Sequence, residues 1–337
     1  MAAAKKSEES STTVPIKKLK INIAEIVELA QERFGGNKKK EFLAQSMTTG
    51  DKIALSKDPE DYVYSADIQK WWQALTGIIG IPFGRIAQIA GKADSGKSTA
   101  AMQFLKAAQD RGCAVVLWDT EGKFDSVRFR DRLGGDPSQI LVASSKNITL
   151  GMQQVAAFVR ALKETDEDVK ILIVWDSVGS SVNSSESEEN DDYSKQPGVT
   201  AKENSWAIRR LNQLIEKYRN VDSGKYTIAV LCINQVYANI GSVGTKQKGG
   251  GEIEYLSSLI LELSRKATDT CTRKGEKVKI GITSRAKVAK NHLFGGEDCI
   301  FELDLFVNSS GITLKKEFKG LIEDPDEIGD VSEEQDE

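Results

Sequence analysis

The sequence predicts an α/β fold with a mainly parallel, twisted sheet, and two observations support this prediction. From Gly77 onward, short apolar segments alternate with segments of helical periodicity, which is typical of parallel strands joined by crossover connections. A glycine-rich turn that ends in Lys97-Ser98 follows one of these apolar segments and opens a helical one. With 39% hydrophobic residues, the chain can bury one substantial core around this sheet.

The predicted elements follow this alternation along the chain. Strands are predicted at residues 86–90, 113–118, 139–143, 171–175, 228–233, 259–263 and 300–306. Helices are predicted at residues 98–110, 149–164 and 200–219, and a further helix at 22–34 ends at Gly35-Gly36. Residues 1–20 are polar and basic, so we expect them to be disordered. Two long insertions interrupt the alternation, at residues 179–199 and 236–251.

The charge of the chain is unevenly distributed. Its 337 residues include 46 basic and 50 acidic side chains, which gives a formal net charge of −4. The segment 321–337 holds nine of the acidic residues and no basic one, so the rest of the chain has 41 acidic and 46 basic residues. The sequence is therefore a mildly basic body followed by an acidic tail, which we assign to residues 313–337. The net charge does not exclude a polyanionic partner.

Several classes of protein are disfavoured by composition. No apolar run approaches the roughly 20 residues of a membrane helix, and the N-terminus lacks the apolar stretch of a signal peptide. We therefore expect a cytoplasmic protein without a membrane partner. The four cysteines lie far apart, which indicates reduced thiols instead of a disulfide framework or zinc cluster. The single histidine, His292, argues against a Ser-His-Asp triad or a His-rich metal site.

Residues 91–98 satisfy the pattern G-x-x-x-x-G-K-[ST] between a predicted strand and a predicted helix. In such a loop, backbone N–H groups and a helix N-terminus surround phosphate oxygens. Lys97 is then expected to contact the β- and γ-phosphates, and Ser98 to hold Mg²⁺. The alternative is a glycine turn with an incidental lysine. The residues assigned to nucleotide binding here are Gly91, Asp94, Ser95, Gly96, Lys97, Ser98 and Thr99.

Polar residues at three further strand ends complete this candidate site. Asp176 follows an apolar strand where a P-loop ATPase needs its second magnesium ligand. The next residue, Ser177, is not the acid that often activates water there, so the base must come from another strand. Glu121 is our candidate base, with an exposed acid as the alternative. Gln235 follows a third strand, and its position is compatible with sensing a γ-phosphate.

The two insertions are the candidate nucleic-acid contacts. Lys202 and Arg209 are about two helical turns apart, after the first insertion, and so share one helix face. The second insertion combines an aromatic residue, lysines and a glycine run, a composition that suits a single-stranded nucleic acid. Its candidate contact residues are Tyr237, Lys246, Lys248, Gly249 and Gly250. For both insertions, a solvated surface loop is the alternative interpretation.

Five ordered motifs give the chain its resemblance to a known family. They are GRIAQIAGKADSGKS, LWDTEGKFD, ILIVWDSV, LCINQV followed by GGG, and SRAKVAKNH. In this order the motifs resemble the RecA-type strand-exchange recombinases, including phage UvsX-like members. The resemblance implies a RecA-like P-loop ATPase core over residues 77–312, with ATP and Mg²⁺ as cofactors. It also implies a helical filament on single-stranded DNA that pairs with homologous duplex DNA and exchanges strands.

The same resemblance implies roles for individual residues. It makes Lys97, Glu121, Gln235 and Lys290 catalytic, and Ser98 and Asp176 the metal-site residues. Asp125 falls where the family contacts adenine, Tyr255 at a subunit contact, and Lys290 where a lysine reaches the neighbouring subunit's ATP. The helix within residues 21–76 resembles the arm that docks on the next subunit. A single-strand binding protein and a loader are implied as further partners, in a bacterium or a phage-infected bacterial host.

The sequence departs from the family at three positions, and two of these, His292 and Arg128, leave room for one of two alternative functions, that of a mediator paralogue. His292 replaces a second lysine at the subunit interface, and Arg128 and Asn308 stand where bacterial RecA stacks tyrosines on adenine. One alternative is a ring-forming motor of the same fold, such as a hexameric helicase or KaiC-like ATPase. The other is a mediator paralogue that binds nucleotide and DNA without exchanging strands.

Overall fold

The structure is a computed structural model that describes residues 58–183, 198–220, 223–238, 245–247, 251–273, 275–293 and 300–316. Several predictions lie outside these residues: the basic N-terminus, the helix at 22–34, most of the first insertion and the acidic tail beyond residue 316. Lys248, Gly249 and Gly250 lie outside them as well. No helix in the described part of the chain is both long and apolar enough to cross a membrane.

Most strands of the described chain belong to one large sheet. The strands are β1 Tyr62–Val63, β2 Ile81–Pro82, β3 Ile86–Gly91, β4 Ala114–Asp119, β5 Ile140–Ala143, β6 Ile171–Asp176, β7 Ile228–Ala238, β8 Thr245–Gln247, β9 Leu259–Arg273, β10 Glu276–Asn291, β11 Glu302–Asn308 and β12 Gly311–Leu314. The large sheet has the order β12-β11-β10-β9-β3-β7-β6-β4-β5, and β8 pairs with β7. The neighbours from β9 to β5 are parallel, whereas β10, β11 and β12 add an antiparallel edge. The α/β prediction with a mainly parallel sheet is confirmed.

Helices pack on both faces of this sheet. They are α1 Ala66–Thr76, α2 Lys97–Asp110, α3 Ser126–Asp131, α4 Ile148–Thr165, α5 Val199–Lys217 and α6 Gly251–Leu256. Alternate residues of a strand point to opposite faces. Val115 and Leu117 of β4 accordingly pack with the core that contains α1 and α2, and Val116 and Trp118 pack with the core that contains α4 and α5.

The segment before the first long strand belongs to the same core. Ser65 Oγ accepts from the Ile68 N–H at 3.3 Å and caps α1. Trp71 and Trp72 on this helix are fully buried, and the Trp72 ring lies 4.9 Å from the ring of Phe104 on α2. Such edge-to-face aromatic pairs add about 0.5–1.5 kcal/mol beyond their buried area. The boundary expected at residue 77 remains a prediction, although α1 and α2 share one hydrophobic cluster.

The antiparallel edge is the part of the sheet that sequence patterns missed. No strand was predicted within residues 264–299, yet β9 extends to Arg273 and β10 covers residues 276–291. Much of β10 is polar, and its first four residues are exposed. Because an exposed antiparallel strand needs no apolar run, hydrophobic patterning does not reveal it.

Candidate active site

The loop between β3 and α2 has the backbone of a phosphate-binding loop. Asp94 and Gly96 adopt left-handed conformations, with φ of 57° and 94°. A side chain at Gly91 is excluded, because its Cβ would lie 2.3 Å from the Leu263 carbonyl oxygen and 2.7 Å from Ser95 Oγ. The loop opens directly into the 14-residue helix α2. A phosphate is stabilised at such a helix N-terminus, so the geometry agrees with the predicted nucleotide site.

Strand β10 supports this loop from outside the motif. Ser284 Oγ on β10 donates to the Ser95 carbonyl at 2.9 Å. Ser95 Oγ in turn donates to the Lys92 carbonyl at 2.9 Å. Ser284 and Ser95 are both fully buried. The loop is therefore fixed by a strand that is almost 200 residues away in sequence.

Lys97 places its ammonium group inside the loop. Its Nζ donates to the Lys92 carbonyl and lies 3.5 Å from Ser95 Oγ. The side chain is only 8% exposed. Burial lowers the pKa of Lys97, and the charges of Asp176, Glu121 and Asp94 oppose that change. A phosphate next to this amine would supply a counter-charge and stabilise its protonated form.

Ser98 and Asp176 form the candidate magnesium site. The Ser98 hydroxyl donates a hydrogen bond to the Asp176 carboxylate. Burial, together with the charges of Glu121 and Asp119, raises the pKa of Asp176 to about 6. Hydroxyl and carboxylate oxygens are ligands that Mg²⁺ prefers, and a divalent cation would offset the repulsion among these carboxylates. The residues present therefore fit the predicted ion.

The raised pKa of Asp176 leads to a prediction about stability. Because the folded protein binds this proton more tightly than the unfolded chain, the contribution of Asp176 to stability is expected to fall as pH rises from about 4 to about 6. The loss is on the order of 1–3 kcal/mol, since one pKa unit corresponds to about 1.4 kcal/mol. Urea unfolding in EDTA measures it, with Asp176→Asn as the comparison. An equally steep decline in Asp176→Asn would contradict the assignment.

Glu121 is held by donors from three parts of the chain. Its Oε1 accepts from Ser177 Oγ at 2.7 Å, Ser180 Oγ at 2.8 Å and Gln235 Nε2 at 3.0 Å. Its Oε2 accepts from Lys123 Nζ at 3.0 Å. Burial by itself raises the pKa of Glu121, but the hydrogen bonds from Ser177, Lys123 and Ser180 bring it down to about 2. The carboxylate is thus ionised at neutral pH and suited to orienting a water molecule.

The ends of β4 and β6 fix the position of Glu121. The Asp119 carboxylate accepts from the Gly122 N–H at 2.8 Å, which shapes the turn around Glu121. Thr120 Oγ1 donates to the Ser177 carbonyl at 2.7 Å and joins the two strand ends. Thr120 and Ser177 are fully buried. Adjacent parallel strands therefore present the candidate base and the candidate metal ligand at one edge of the sheet.

Gln235 connects this edge to the second insertion. Asn234 Oδ1 accepts from the Gln235 N–H at 2.8 Å, and the Gln235 side chain contacts Glu121 as described above. Beyond Gln235 the strand β7 continues to residue 238 and pairs with β8, with Tyr237 opposite Lys246 in the backbone register. The insertion expected to be irregular over residues 236–251 thus includes a short antiparallel pair.

The exposed face of α5 carries the two basic residues predicted after the first insertion. Lys202 and Arg209 are both exposed on this helix. Trp206 lies between them, four residues after Lys202 and three before Arg209, and is 39% exposed. The three side chains therefore share one helix face. Arg209 Nε also lies 3.5 Å from a carboxylate oxygen of Glu252 on α6, the helix that follows the second insertion.

Comparison with known proteins agrees with the fold and the loop geometry. The family model described as the RecA N-terminal domain matches residues 56–306, most of the chain. The chain belongs to the RecA family. This assignment confirms the resemblance found in the motifs, and it implies a P-loop ATPase.

Individual RecA proteins are distant relatives of the chain. It is 30% identical over 243 residues to protein RecA of Ureaplasma parvum serovar 3, a match that covers 70% of this chain and 65% of that protein. It is 31% identical to protein RecA of Sulfurovum sp. over 64% of this chain and 57% of the relative. For protein RecA of Chloroflexus aggregans, the identity is 33% over 64% of this chain and 56% of the relative. The chain therefore matches less than two thirds of the length of these relatives.

The residues expected near adenine make contacts within the chain. Asp125 caps α3, since its Oδ1 accepts from the Arg128 N–H at 2.9 Å. The Arg128 guanidinium donates to Thr99 Oγ1 and to the Asn308 carbonyl, both at 2.9 Å, and to the Ser309 carbonyl at 3.0 Å. Arg128 therefore joins α2, the helix that follows the phosphate-binding loop motif, to the turn between β11 and β12. The adenine contact of Asp125 remains a prediction.

Lys290 and Tyr255 lie together at the end of α6. Lys290 Nζ donates to the carbonyls of Glu254 and Tyr255, at 2.7 and 2.9 Å. The Tyr255 side chain is 78% exposed. Both positions are compatible with the subunit contact that the RecA family implies, and that contact remains a prediction.

Sequence patterns overlooked some of the residues that shape this RecA-family site. Ser180, Asp119 and Lys123 contact Glu121 or its turn, yet they are small or common polar residues without a motif of their own. Trp206 carried a better indication. It is an aromatic residue on the same predicted helix face as Lys202 and Arg209, and aromatic residues between cations favour nucleic-acid contact.

Proposed function

We propose that this RecA-family protein is an ATP-dependent DNA recombinase that assembles as a filament on single-stranded DNA and catalyses homologous pairing and strand exchange. The observation that carries the proposal is the 3.0 Å hydrogen bond between Gln235 and Glu121. It joins the candidate catalytic carboxylate to the strand that enters the second predicted DNA-binding segment. A change at the ATP site can therefore act directly on that segment.

The proposed hydrolysis relies on charge placement. Lys97 stabilises negative charge that develops on the transferred phosphoryl group, and Glu121 orients the attacking water molecule. Ser98 and Asp176 would hold Mg²⁺, which when bound neutralises phosphate charge. Lys290 of one subunit would supply a further cation to the ATP of its neighbour. A subunit contact of this head-to-tail kind builds an open helical filament.

The α5 face supports DNA as the partner. Lys202 and Arg209 provide cations for phosphates, and the exposed indole of Trp206 between them provides a surface for stacking. Because Glu252 pairs with Arg209, a phosphate must compete with that carboxylate for the guanidinium. Because cations that bind phosphates release the counterions of the strand, binding is expected to weaken with increasing salt.

Trp206 provides a direct measurement of this interaction. The other four tryptophans, Trp71, Trp72, Trp118 and Trp175, are fully buried, so quenching by a bound strand should arise at Trp206. An oligo(dT) strand with an ATP analogue and Mg²⁺ is expected to quench the emission of the wild type. Trp206→Phe is expected to lose this response and to keep the salt-dependent part of binding. Equal quenching in the wild type and Trp206→Phe would contradict contact at this face.

Strand exchange between a single strand and a homologous duplex tests the proposed function. With a homologous duplex, joint molecules are expected in the presence of ATP or a non-hydrolysable analogue. With a heterologous duplex, no joint molecules are expected. DNA binding with no joint molecules under either condition would favour a mediator paralogue. Closed rings without filaments, seen by electron microscopy with single-stranded DNA and ATP, would favour a ring motor.

A further inference from the structure

Ser180 lies at a junction between Glu121 and Gln235. Its hydroxyl donates to Glu121 Oε1 at 2.8 Å, and Gln235 Nε2 lies 3.2 Å from the Ser180 hydroxyl oxygen. A serine hydroxyl has one proton to donate and two lone pairs with which to accept. Ser180 therefore gives its proton to Glu121 while it accepts from the Gln235 amide.

Ser177 allows this junction two hydrogen-bond patterns. Its hydroxyl oxygen lies 2.7 Å from Glu121 Oε1 and 2.9 Å from Ser180 Oγ, but it carries a single proton. When it donates to Glu121, that oxygen receives three hydrogen bonds. When it donates to Ser180, one acceptor position of Glu121 is open to a water molecule. A local element with two arrangements is what coupling between sites requires.

The segment that follows Ser180 leads to α5 through described residues. Ser181 Oγ accepts from Trp175 Nε1 at 3.1 Å, which ties the segment to β6. Val182 forms a parallel bridge with Asn147 at the start of α4. Asn183, which is 4% exposed, donates through Nδ2 to Thr200 Oγ1 at 2.9 Å.

Thr200 lies in the first turn of α5, two residues before Lys202. A continuous series of contacts thus connects Glu121 with the helix that carries Lys202 and Arg209. The series needs none of residues 184–197, because the bond between Asn183 and Thr200 spans them.

We propose that Ser180 and Asn183 are positioning residues that couple the ATP site to the DNA-binding face of α5, beside the connection through Gln235. This inference rests on the proposed function, because it assigns the contacts through which DNA would change ATP turnover at the ATP site. A change in the hydrogen bonds that Glu121 accepts moves the turn at residues 178–180. The displaced turn then alters the bond between Asn183 and Thr200, and DNA on α5 acts back along the same contacts.

ATP turnover with and without an oligo(dT) strand tests the coupling in the full chain. Ser180→Ala and Asn183→Ala are each expected to lower the ratio of the two rates at least about fivefold. The double variant should lower it no further than the larger single effect, because both residues lie on one path. Ser180→Thr keeps the hydroxyl and should restore the ratio. As a matched control, Ser138→Ala removes a serine–carboxylate bond to Asp136 far from the site and should leave the ratio unchanged.

Two outcomes of this experiment would overturn the coupling. One is an equal loss of turnover with and without DNA in Ser180→Ala, which marks a residue of the general catalytic scaffold. The other is an additive loss in the double variant, which places the two residues on separate paths.

If DNA does not change the rate of ATP turnover by the wild type, the proposed function is rejected instead. Hydrogen exchange then tests the coupling independently, with a non-hydrolysable ATP analogue and Mg²⁺ as the probe. Amides of residues 181–183 and 199–202 are expected to change protection in the wild type and not in Ser180→Ala. The same change in both proteins, or none in the wild type, would overturn the path.

Discussion

Replacing Lys97 with alanine is expected to abolish measurable ATP turnover, a loss of at least roughly 10²–10³-fold. Lys97 is 8% exposed, and its ammonium lies among the carbonyl and hydroxyl oxygens of its own loop, where we propose that it contacts a bound phosphate. Alanine removes that charge from a site with little water to replace it. It also leaves the Lys92 carbonyl without this donor. Phosphate release measures turnover, and a fluorescent ATP analogue measures binding.

Lys106→Ala is the control for this prediction. Lys106 also lies on α2, but it pairs with Asp110 near the other end of the helix. An ion pair of this partly exposed kind contributes only about 0–1 kcal/mol, so turnover should stay near the wild-type rate. Turnover of Lys97→Ala within tenfold of the wild type would show that this lysine is not the principal phosphate ligand.

Replacing Glu121 with glutamine is expected to stop hydrolysis while ATP binding continues. Glutamine keeps the size of the side chain and an oxygen that can accept from Ser177 and Ser180, but it lacks the negative charge that orients and polarises water. A loss of the general base corresponds to roughly 10²–10⁴-fold in rate. Because the ATP-bound state would persist, single-stranded DNA should stay bound longer than on the wild type.

The measurement for Glu121→Gln combines single-turnover hydrolysis with ATP affinity. Glu216→Gln is the matched control, since Glu216 also accepts a hydrogen bond, from Tyr226, but lies away from the nucleotide loop. Hydrolysis by Glu121→Gln at the wild-type rate would remove Glu121 from the catalytic role. Loss of ATP binding would instead indicate that the carboxylate mainly holds the fold of the site.

The parallel half of the sheet and its P-loop could be predicted from sequence because both leave local patterns. Buried parallel strands such as β6 are continuous apolar runs, and the residue after such a run lies at the edge where ligands bind. This reasoning predicts Asp176 and Glu121, and the structure places them at the ends of the adjacent strands β6 and β4, with Glu121 two residues beyond β4. The predicted start of α2 at residue 98 lies within one residue of the observed start at Lys97, because the P-loop before this helix also leaves a local pattern.

The remaining features depend on contacts between distant residues. Ser284 supports the P-loop from β10, a strand whose polar, partly exposed sequence has no apolar run. Ser180 reaches Glu121 only because β4 and β6 are neighbours, which no local pattern encodes. Tyr237 lies opposite Lys246 in the backbone register only because β7 extends into the insertion and pairs with β8. Such contacts follow from the topology of the sheet, so they can be identified only from the folded structure.

The affinity for a labelled single strand in two nucleotide states tests most directly whether the ATP site controls DNA binding. We expect Kd to be at least about tenfold lower with a non-hydrolysable ATP analogue and Mg²⁺ than with ADP and Mg²⁺, which corresponds to about 1.4 kcal/mol of coupling. Gln235→Ala should reduce that difference. Equal affinity in the two nucleotide states of the wild type would contradict nucleotide control of DNA binding through Glu121 and Gln235.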